Sequence, residues 1–181
     1  MSDFTQSPYD PSLFMHTTSI GVTILLVYFN DIIIAGTNDR MIKSIQASLR
    51  DYFHLKDFGP LHYFLGLEVH QSPKGLFLSQ QKYTSDLIEL ADLNESLPVD
   101  TPVEVNLKLS KDDGDLLLNP HTYRCLVYLT ITRPDISYAV NLVSQFMTSP
   151  RHLRLTAVKR IIRYLLGIVM RGLYFLKDNS P

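Results

Sequence analysis

The chain has 181 residues, of which 45% are hydrophobic, 10% aromatic and 19% charged, and its formal net charge is −1. This apolar content is sufficient for a folded core, so the composition excludes an extensively disordered chain. The single cysteine excludes an intramolecular disulfide framework and a cysteine-built zinc site. The length predicts one domain, or one domain with an appendage.

Residues 20–36 form an apolar stretch that could be mistaken for a membrane span. Asn30 and Asp31 lie near its middle, and a charged residue there costs about 2.5–3.5 kcal/mol on insertion. The β-branched residues on either side favour a buried β-hairpin instead. The first residues show no basic start and no apolar run, so we expect no signal peptide, no membrane segment and an intracellular location, cytoplasmic or nuclear.

Strands and amphipathic helices follow one another along the chain. Hydrophobic periodicity predicts strands at 13–18, 22–28 and 32–35, and a helix over 39–53 that Asn38 caps. A second hairpin is expected over 63–79, with further helices over 80–93, 121–132, 135–147 and 153–168 and a last strand over 172–176. These elements predict an α+β fold.

Charge is unevenly distributed. Residues 1–149 carry a net charge of −7, whereas residues 150–181 carry +6. Lys159, Arg160 and Arg163 fall within about 100° of each other on a helical wheel, away from the apolar stripe. This asymmetry points to a polyanionic partner, although a solvated helix face would show the same pattern.

Two sites could hold a metal ion. Asn30 and Asp31 at the hairpin tip could be turn residues, since both tolerate left-handed geometry, or they could supply oxygen ligands for Mg²⁺. His62, Glu68 and His70 share strand parity and could form a two-histidine, one-carboxylate site, although the residues between them are typical of core.

The tip segment LLVYFNDIIIAG at residues 25–36 resembles the Tyr-x-Asp-Asp hairpin of reverse transcriptases. Further segments in family order narrow the resemblance to the copia-type retrotransposon polyprotein. They are FTQS (4–7), DPSLF (10–14), KDFGPL (56–61), YFLGLEV (63–69), GLFLSQ (75–80), TRPDISYAV (132–140) and SQFM (144–147).

The resemblance implies a partial polymerase palm followed by a mainly helical thumb-like region. The palm would comprise antiparallel hairpins with packed helices. On this basis residues 1–95 would be the partial palm, residues 96–120 a linker or loop, and residues 121–181 the thumb-like region.

The resemblance also assigns roles to residues. Asp31 would be a catalytic metal ligand, with Asn30 at the position of the first aspartate of the pair and Mg²⁺ as the family's cofactor. Tyr28 and Phe29 would lie against the primer terminus and the incoming nucleotide. Lys74 would lie at the tip of a hairpin that grips the primer strand. Lys159, Arg160 and Arg163 would contact the backbone of an RNA/DNA template–primer duplex.

The sequence departs from the family pattern in ways that predict a catalytically inactive fragment. Asn30 is neutral where the family has an aspartate, and residues 123–130 look about four residues shorter than the family's helix. The chain begins after the fingers and the palm strand with the other metal carboxylate, and it stops before a ribonuclease H region. We therefore expect weak or no Mg²⁺ binding, weak non-specific duplex binding and self-association through exposed palm surface.

Two other functions stay open. The chain could be a retained nucleic-acid-binding module that uses its basic C-terminal helix. Alternatively it could be a polymerase part that is active only when the missing N-terminal palm and fingers complement it.

Overall fold

A computed structural model describes residues 4–29, 31–104, 121–145 and 152–177, with only the backbone at residues 123 and 152–154. The chain divides into two compact units, Met1–Leu61 (unit 1) and His62–Pro181 (unit 2).

Unit 1 is an antiparallel sheet with one helix. Its strands lie in chain order, each hydrogen-bonded to the next: β1 (Thr5–Gln6), β2 (Leu13–Thr18), β3 (Gly21–Tyr28) and β4 (Asp31–Gly36). The helix α1 (Asp39–Phe53) begins where predicted, because the Asn38 side chain accepts hydrogen bonds from the amides of Arg40 and Met41. It ends at His54, whose φ of 54° is left-handed.

Apolar side chains lie on both faces of the unit 1 sheet. Leu26 on β3 is paired with Leu13 and Ile33 on one face, and neighbouring Leu25 with Phe14 and Ile34 on the other. Within residues 4–29 and 31–61, the one fully buried side chain is polar Thr23. The apolar residues of these strands therefore all remain partly exposed.

The sheet of unit 2 combines strands from the beginning of the unit with a strand from near its end. Its strands are β5 (Tyr63–Phe64), β6 (Leu67–Ser72), β7 (Gly75–Ser79) and β8 (Gly172–Leu176), in that order and antiparallel throughout. The hairpin predicted over residues 63–79 contains an additional turn that the sequence pattern did not predict. Leu65 and Gly66 have φ angles of 48° and 77°, and they form the two-residue turn between β5 and β6.

Four α-helices pack together in unit 2: α2 (Gln81–Leu90), α3 (His121–Leu129), α4 (Ser137–Ser144) and α5 (His152–Leu166). A 3₁₀ turn at Pro134–Ile136 precedes α4, so the helix predicted from residue 135 begins slightly later. Leu126, Leu129, Ile162 and Leu165 are fully buried in their shared core. Cys125 is also buried.

The predicted α+β class is therefore confirmed. The assignments to palm and thumb, and their boundaries at residues 95 and 120, stay predictions. The compact units divide elsewhere, after residue 61, because β8 pairs with β7 and the helices after residue 120 pack on α2. In the part of the chain that the structure describes, no helix is both long and apolar enough to cross a membrane.

Candidate nucleic-acid interface

The β3–β4 hairpin has the tight tip that the sequence predicted. Tyr28 pairs directly with Asp31, so the paired strands come within two residues of each other in the chain. Phe29 has a left-handed φ of 47°, the backbone geometry that the favoured hairpin turns require. Asn30, the position where the family has an aspartate, lies outside the described residues.

The tip presents aromatic rings and a carboxylate. The rings of Tyr28 and Phe29 meet edge to face, with centroids 5.1 Å apart and planes at 74°. Phe29 is 90% exposed. Because directly paired residues project from the same face of a sheet, Tyr28 and exposed Asp31 lie on one side of the hairpin.

The described residues do not fit a two-magnesium centre. Two Mg²⁺ ions about 3.5–4 Å apart repel each other and need several anionic ligands. Among residues 4–29, 31–104, 121–145 and 152–177, no three histidine, cysteine, aspartate or glutamate side chains form a group that could hold a metal. Asp31 is an exposed carboxylate outside any such cluster.

The register also removes the alternative site at His62, Glu68 and His70. Because the chain turns at Leu65 and Gly66, His62 lies opposite Val69, whose amide donates to the His62 carbonyl at 2.8 Å. Glu68 and His70 project from the other face. The Glu68 carboxylate accepts hydrogen bonds from the Lys82 amide at 2.7 Å and from Ser79 Oγ at 3.2 Å, so it fastens the start of α2.

Lys74 occupies the predicted hairpin tip. Ser72 pairs with Gly75, so Pro73 and Lys74 form the turn, and Lys74 is exposed. The Lys177 amide donates to the Lys74 carbonyl at 2.9 Å. Lys74 at the hairpin tip and Lys177, directly after β8, therefore lie at the same end of the sheet.

The three predicted basic residues of α5 differ in their surroundings. Lys159 is exposed. Arg160 donates to the Thr101 carbonyl at 3.2 Å, to Thr101 Oγ1 at 3.1 Å and to Glu104 Oε1 at 3.0 Å. Arg163 Nε donates to the Leu97 carbonyl at 2.7 Å. Residues 97–104, which we call the strap, thus bind two of the three cations.

Sequence reasoning missed a buried polar pair in unit 2. Gln80 and Thr132 are each 1% exposed. Thr132 Oγ1 donates to Gln80 Oε1 at 2.8 Å, and Gln80 Nε2 donates to the Tyr128 carbonyl at 3.4 Å. Since unpaired buried polar groups are costly, these bonds fix the end of α3 against the start of α2.

A second missed cluster surrounds Arg133, which is 2% exposed. Its Nε and Nη2 donate to the two carboxylate oxygens of Asp135 at 3.0 and 2.8 Å, and its Nη1 donates to the Ile168 carbonyl at 3.1 Å. Tyr164 Oη donates to the same carboxylate at 3.0 Å. The motif TRPD at residues 132–135 contains a sequence signal for this cluster, because an arginine two residues before an aspartate is close enough to form an ion pair with it.

These contacts shift the pKa values of Asp135 and Tyr164. Burial by itself would raise the pKa of Asp135, but the hydrogen bonds and charge of Arg133 outweigh it and hold that pKa below its usual range. Burial raises the pKa of Tyr164, and its bond to the Asp135 carboxylate adds to that rise. At neutral pH the cluster therefore contains an ion pair and a neutral phenol.

Residues 1–105 match the family described as reverse transcriptase (RNA-dependent DNA polymerase). The chain belongs to the reverse transcriptase family. It is 41% identical over 181 residues to the retrovirus-related Pol polyprotein from transposon RE1 of Arabidopsis thaliana. The matched region covers 98% of this chain and 12% of that protein. The predicted membership in copia-type reverse transcriptases is confirmed, and the chain is a retrotransposon-derived segment of one.

Two further relatives are similar to most of the chain. An uncharacterised mitochondrial protein of Arabidopsis thaliana is 38% identical over 160 residues, which is 86% of this chain and 66% of that protein. The Pol polyprotein from transposon TNT 1-94 of Nicotiana tabacum is 35% identical over 80% of this chain and 12% of its own length. No solved structure matches the reverse transcriptase segment.

Proposed function

We propose that this reverse transcriptase segment binds an RNA/DNA template–primer duplex weakly and without sequence preference, and that it does not polymerise DNA by itself. The observation that carries the proposal is the family match over residues 1–105. The segment covers 12% of the polyproteins it matches, so the activity of those whole proteins reaches this chain only as part of the proposal.

The exposed cations support duplex binding through phosphates. Lys74 and Lys177 lie together at one end of the unit 2 sheet, and Lys159 is exposed on α5. Each neutralised phosphate releases counterions, so affinity falls steeply with salt. Arg160 and Arg163 contribute less, since the strap already holds both.

The binding half of the proposal is tested by titrating a fluorescent RNA/DNA duplex at several salt concentrations. With about three phosphates neutralised, log affinity should fall against log salt with a slope of roughly −2 to −3. Replacing Lys74, Lys159 and Lys177 with glutamine should flatten that slope. The matched control replaces Lys43 and Lys56 in unit 1 and should leave it unchanged; a slope unaffected by the first set would refute phosphate binding at these lysines.

The absence of turnover follows from the ligand chemistry at the tip. Asp31 offers one exposed carboxylate, and the neutral amide of Asn30 is a poor substitute for an anionic ligand. Asn30→Asp should raise affinity for Mg²⁺ or Mn²⁺ without producing turnover, because a pair of ions needs more anionic ligands than two. Without that substitution, Mg²⁺ binding should be weak or absent.

Primer extension on an RNA template, with the 181-residue chain and with Asn30→Asp, tests this half. We expect no extension from either chain. Mg²⁺-dependent extension by the unchanged chain that disappears in Asp31→Ala would overturn the proposal. Extension only after addition of a fingers-and-palm fragment would favour the complementation alternative.

Self-association through unit 1 is part of the same proposal. Large apolar side chains are exposed there, including Phe29 at 90%, Tyr52 at 75% and Phe58 at 80%, and exposed apolar patches favour association. Sedimentation velocity should show concentration-dependent dimers or larger species. A monodisperse monomer that binds no hydrophobic dye would contradict it.

A further inference from the structure

The strap engages both arginines on the basic face of α5. Arg160 donates to the carbonyl and the hydroxyl of Thr101 at 3.2 and 3.1 Å, and to a carboxylate oxygen of Glu104 at 3.0 Å. Arg163 Nε donates to the Leu97 carbonyl at 2.7 Å. Oxygen acceptors of the strap therefore occupy the guanidinium groups of both residues.

The acceptors of the strap have the chemistry of a nucleic-acid backbone. A guanidinium group donates to carboxylate and to phosphate oxygens in the same forked geometry, so the Glu104 carboxylate lies where a phosphate would bind Arg160. Lys159, the neighbour of Arg160 in the chain, is exposed. Of the three cations on this face, the lysine is therefore accessible to a phosphate, whereas the two arginines already have anionic or carbonyl partners.

The strap buries little of its own surface. Residues 97–104, all of which the structure describes, contain no helix or strand and no fully buried side chain. Leu97 is 78% exposed, while Val103 packs against the buried core of unit 2. Segments with few buried apolar contacts and exposed backbone open locally at a low cost in free energy. We therefore expect the strap to detach without unfolding of the helices beneath it.

A cavity separates part of the strap from the helices. Its volume is about 170 Å³, and it lies between Val103 of the strap, Ala139 and Val143 of α4, and Ala157 of α5. A gap between two surfaces forfeits part of the dispersion attraction across it. The bonds to Arg160 and Arg163 are therefore a large part of what holds the strap on α5.

We propose that the strap is an autoinhibitory contact, which the phosphates of a nucleic-acid duplex displace from Arg160 and Arg163. The proposal deepens the proposed function, on which it rests, by adding a regulation to the same binding surface. With the strap docked, a duplex meets the exposed lysines, and with the strap displaced it also meets both arginines. The apparent affinity of the unchanged chain is reduced in proportion to the fraction of molecules in which the strap is open.

The first test weakens the strap and measures binding of a fluorescent RNA/DNA duplex at several salt concentrations. Thr101→Ala with Glu104→Gln, the strap-weakened variant, removes the hydroxyl acceptor and the negative charge that hold Arg160. We expect duplex affinity to rise roughly 1.5- to 5-fold, which is the size of one exposed ion pair. The salt slope should steepen by up to about 0.9. Glu89→Gln, an exposed residue of α2, makes the same change of net charge and should give no such gain.

The second test identifies the residue through which the strap acts. Arg160→Gln should lower duplex affinity more in the strap-weakened variant than in the unchanged chain, because only there is the guanidinium released. Lys159→Gln is the matched control, since the structure shows this lysine exposed in the docked arrangement. It should lower affinity by the same factor in both backgrounds.

Hydrogen exchange of the unchanged chain tests displacement directly. The Val99 amide donates to the Arg163 carbonyl at 3.4 Å, so its exchange reports whether the strap is docked. Saturation with duplex should speed exchange in the strap and leave exchange in α3 unchanged. Slower exchange in the strap at saturation would mean that the duplex binds over it, which would overturn the proposal.

The remaining outcomes separate this proposal from the proposed function. Duplex binding that is equal in the strap-weakened variant and the unchanged chain overturns autoinhibition and leaves duplex binding by the lysines intact. Equal gains from the strap-weakened variant and Glu89→Gln assign the effect to net charge and also overturn it. An equal loss from Arg160→Gln in both backgrounds does the same. No duplex binding by any variant at low salt refutes the proposed function, and this inference with it.

Discussion

Unit 1 and unit 2 carry comparable apolar sequence but bury it very differently. The sixteen apolar side chains that are buried in the described residues, from Val69 to Leu165, all lie in unit 2. In unit 1 even the leucines of the central strand β3 remain partly exposed. Apolar strands by themselves therefore do not make a core, because burial needs a second layer on each face.

The segments that match the family also differ in burial between the two units. Tyr28, Phe29 and Asp31 at the β3–β4 tip are exposed. The motifs around Gln80 and Arg133 are buried and satisfied by internal hydrogen bonds. Segments that match the family are thus exposed in one unit and buried with internal hydrogen bonds in the other.

The strongest test of this difference in burial is a matched pair of leucine substitutions. Leu126→Ala in the unit 2 core should lower the free energy of unfolding by about 2–5 kcal/mol, since a buried leucine leaves a cavity. Leu26→Ala on β3 should lower it by about 1 kcal/mol, because a partly exposed side chain loses less buried area. Urea unfolding followed by circular dichroism and by hydrogen exchange measures both. Equal losses would mean that unit 1 has a core as dense as that of unit 2.

The next largest effect is expected at the buried ion pair. Arg133→Gln should destabilise the protein by about 2–3 kcal/mol, because it leaves the Asp135 carboxylate and the Ile168 carbonyl without their charged donor. Lys82→Gln breaks an exposed pair with Asp86 and should cost under about 0.5 kcal/mol. Thermal unfolding of the two variants measures the contrast.

Acid titration provides a further control for that pair. The folded-state pKa of Asp135 is lowered, so its stabilisation is complete above the unfolded-state value of about 3.9. It is lost as pH falls below that value and through the folded-state pKa. Arg133→Gln should weaken this acid dependence of stability. If both proteins lost stability identically below about pH 4, Arg133 would not be the cause of the shift.

The smallest effect on stability is expected at the strap. Glu104→Gln removes the exposed ion pair with Arg160 and should cost at most about 1 kcal/mol. It should also release Arg160 toward phosphate and steepen the salt slope of duplex binding by up to about 0.9. Thr122→Ala on α3, away from the strap, is the control for binding. An unchanged slope would show that the remaining bonds to Thr101 hold Arg160 in place.

Local sequence signals predicted much of the fold. Hydrophobic periodicity predicted β2, β3, β4 and β8, and Asn38 marked the start of α1 because its short side chain reaches the first free amides. The turn at Leu65 was missed, since a leucine with positive φ contradicts its own preference and is tolerated beside Gly66. Without this turn His62 and Glu68 would share one face of the sheet, whereas the structure places them on opposite faces.

The sequence by itself determined the family, the strand and helix periods and the Tyr28–Asp31 tip, because each depends on residues close together in the chain. Only the tertiary structure decided which cations are free, which polar residues are buried and which aromatic residues share a face. Arg160 meets Glu104, Gln80 meets Thr132, and Phe77 meets Tyr174 across long separations in sequence. Such pairings depend on how strands and helices are brought together, which no local pattern encodes.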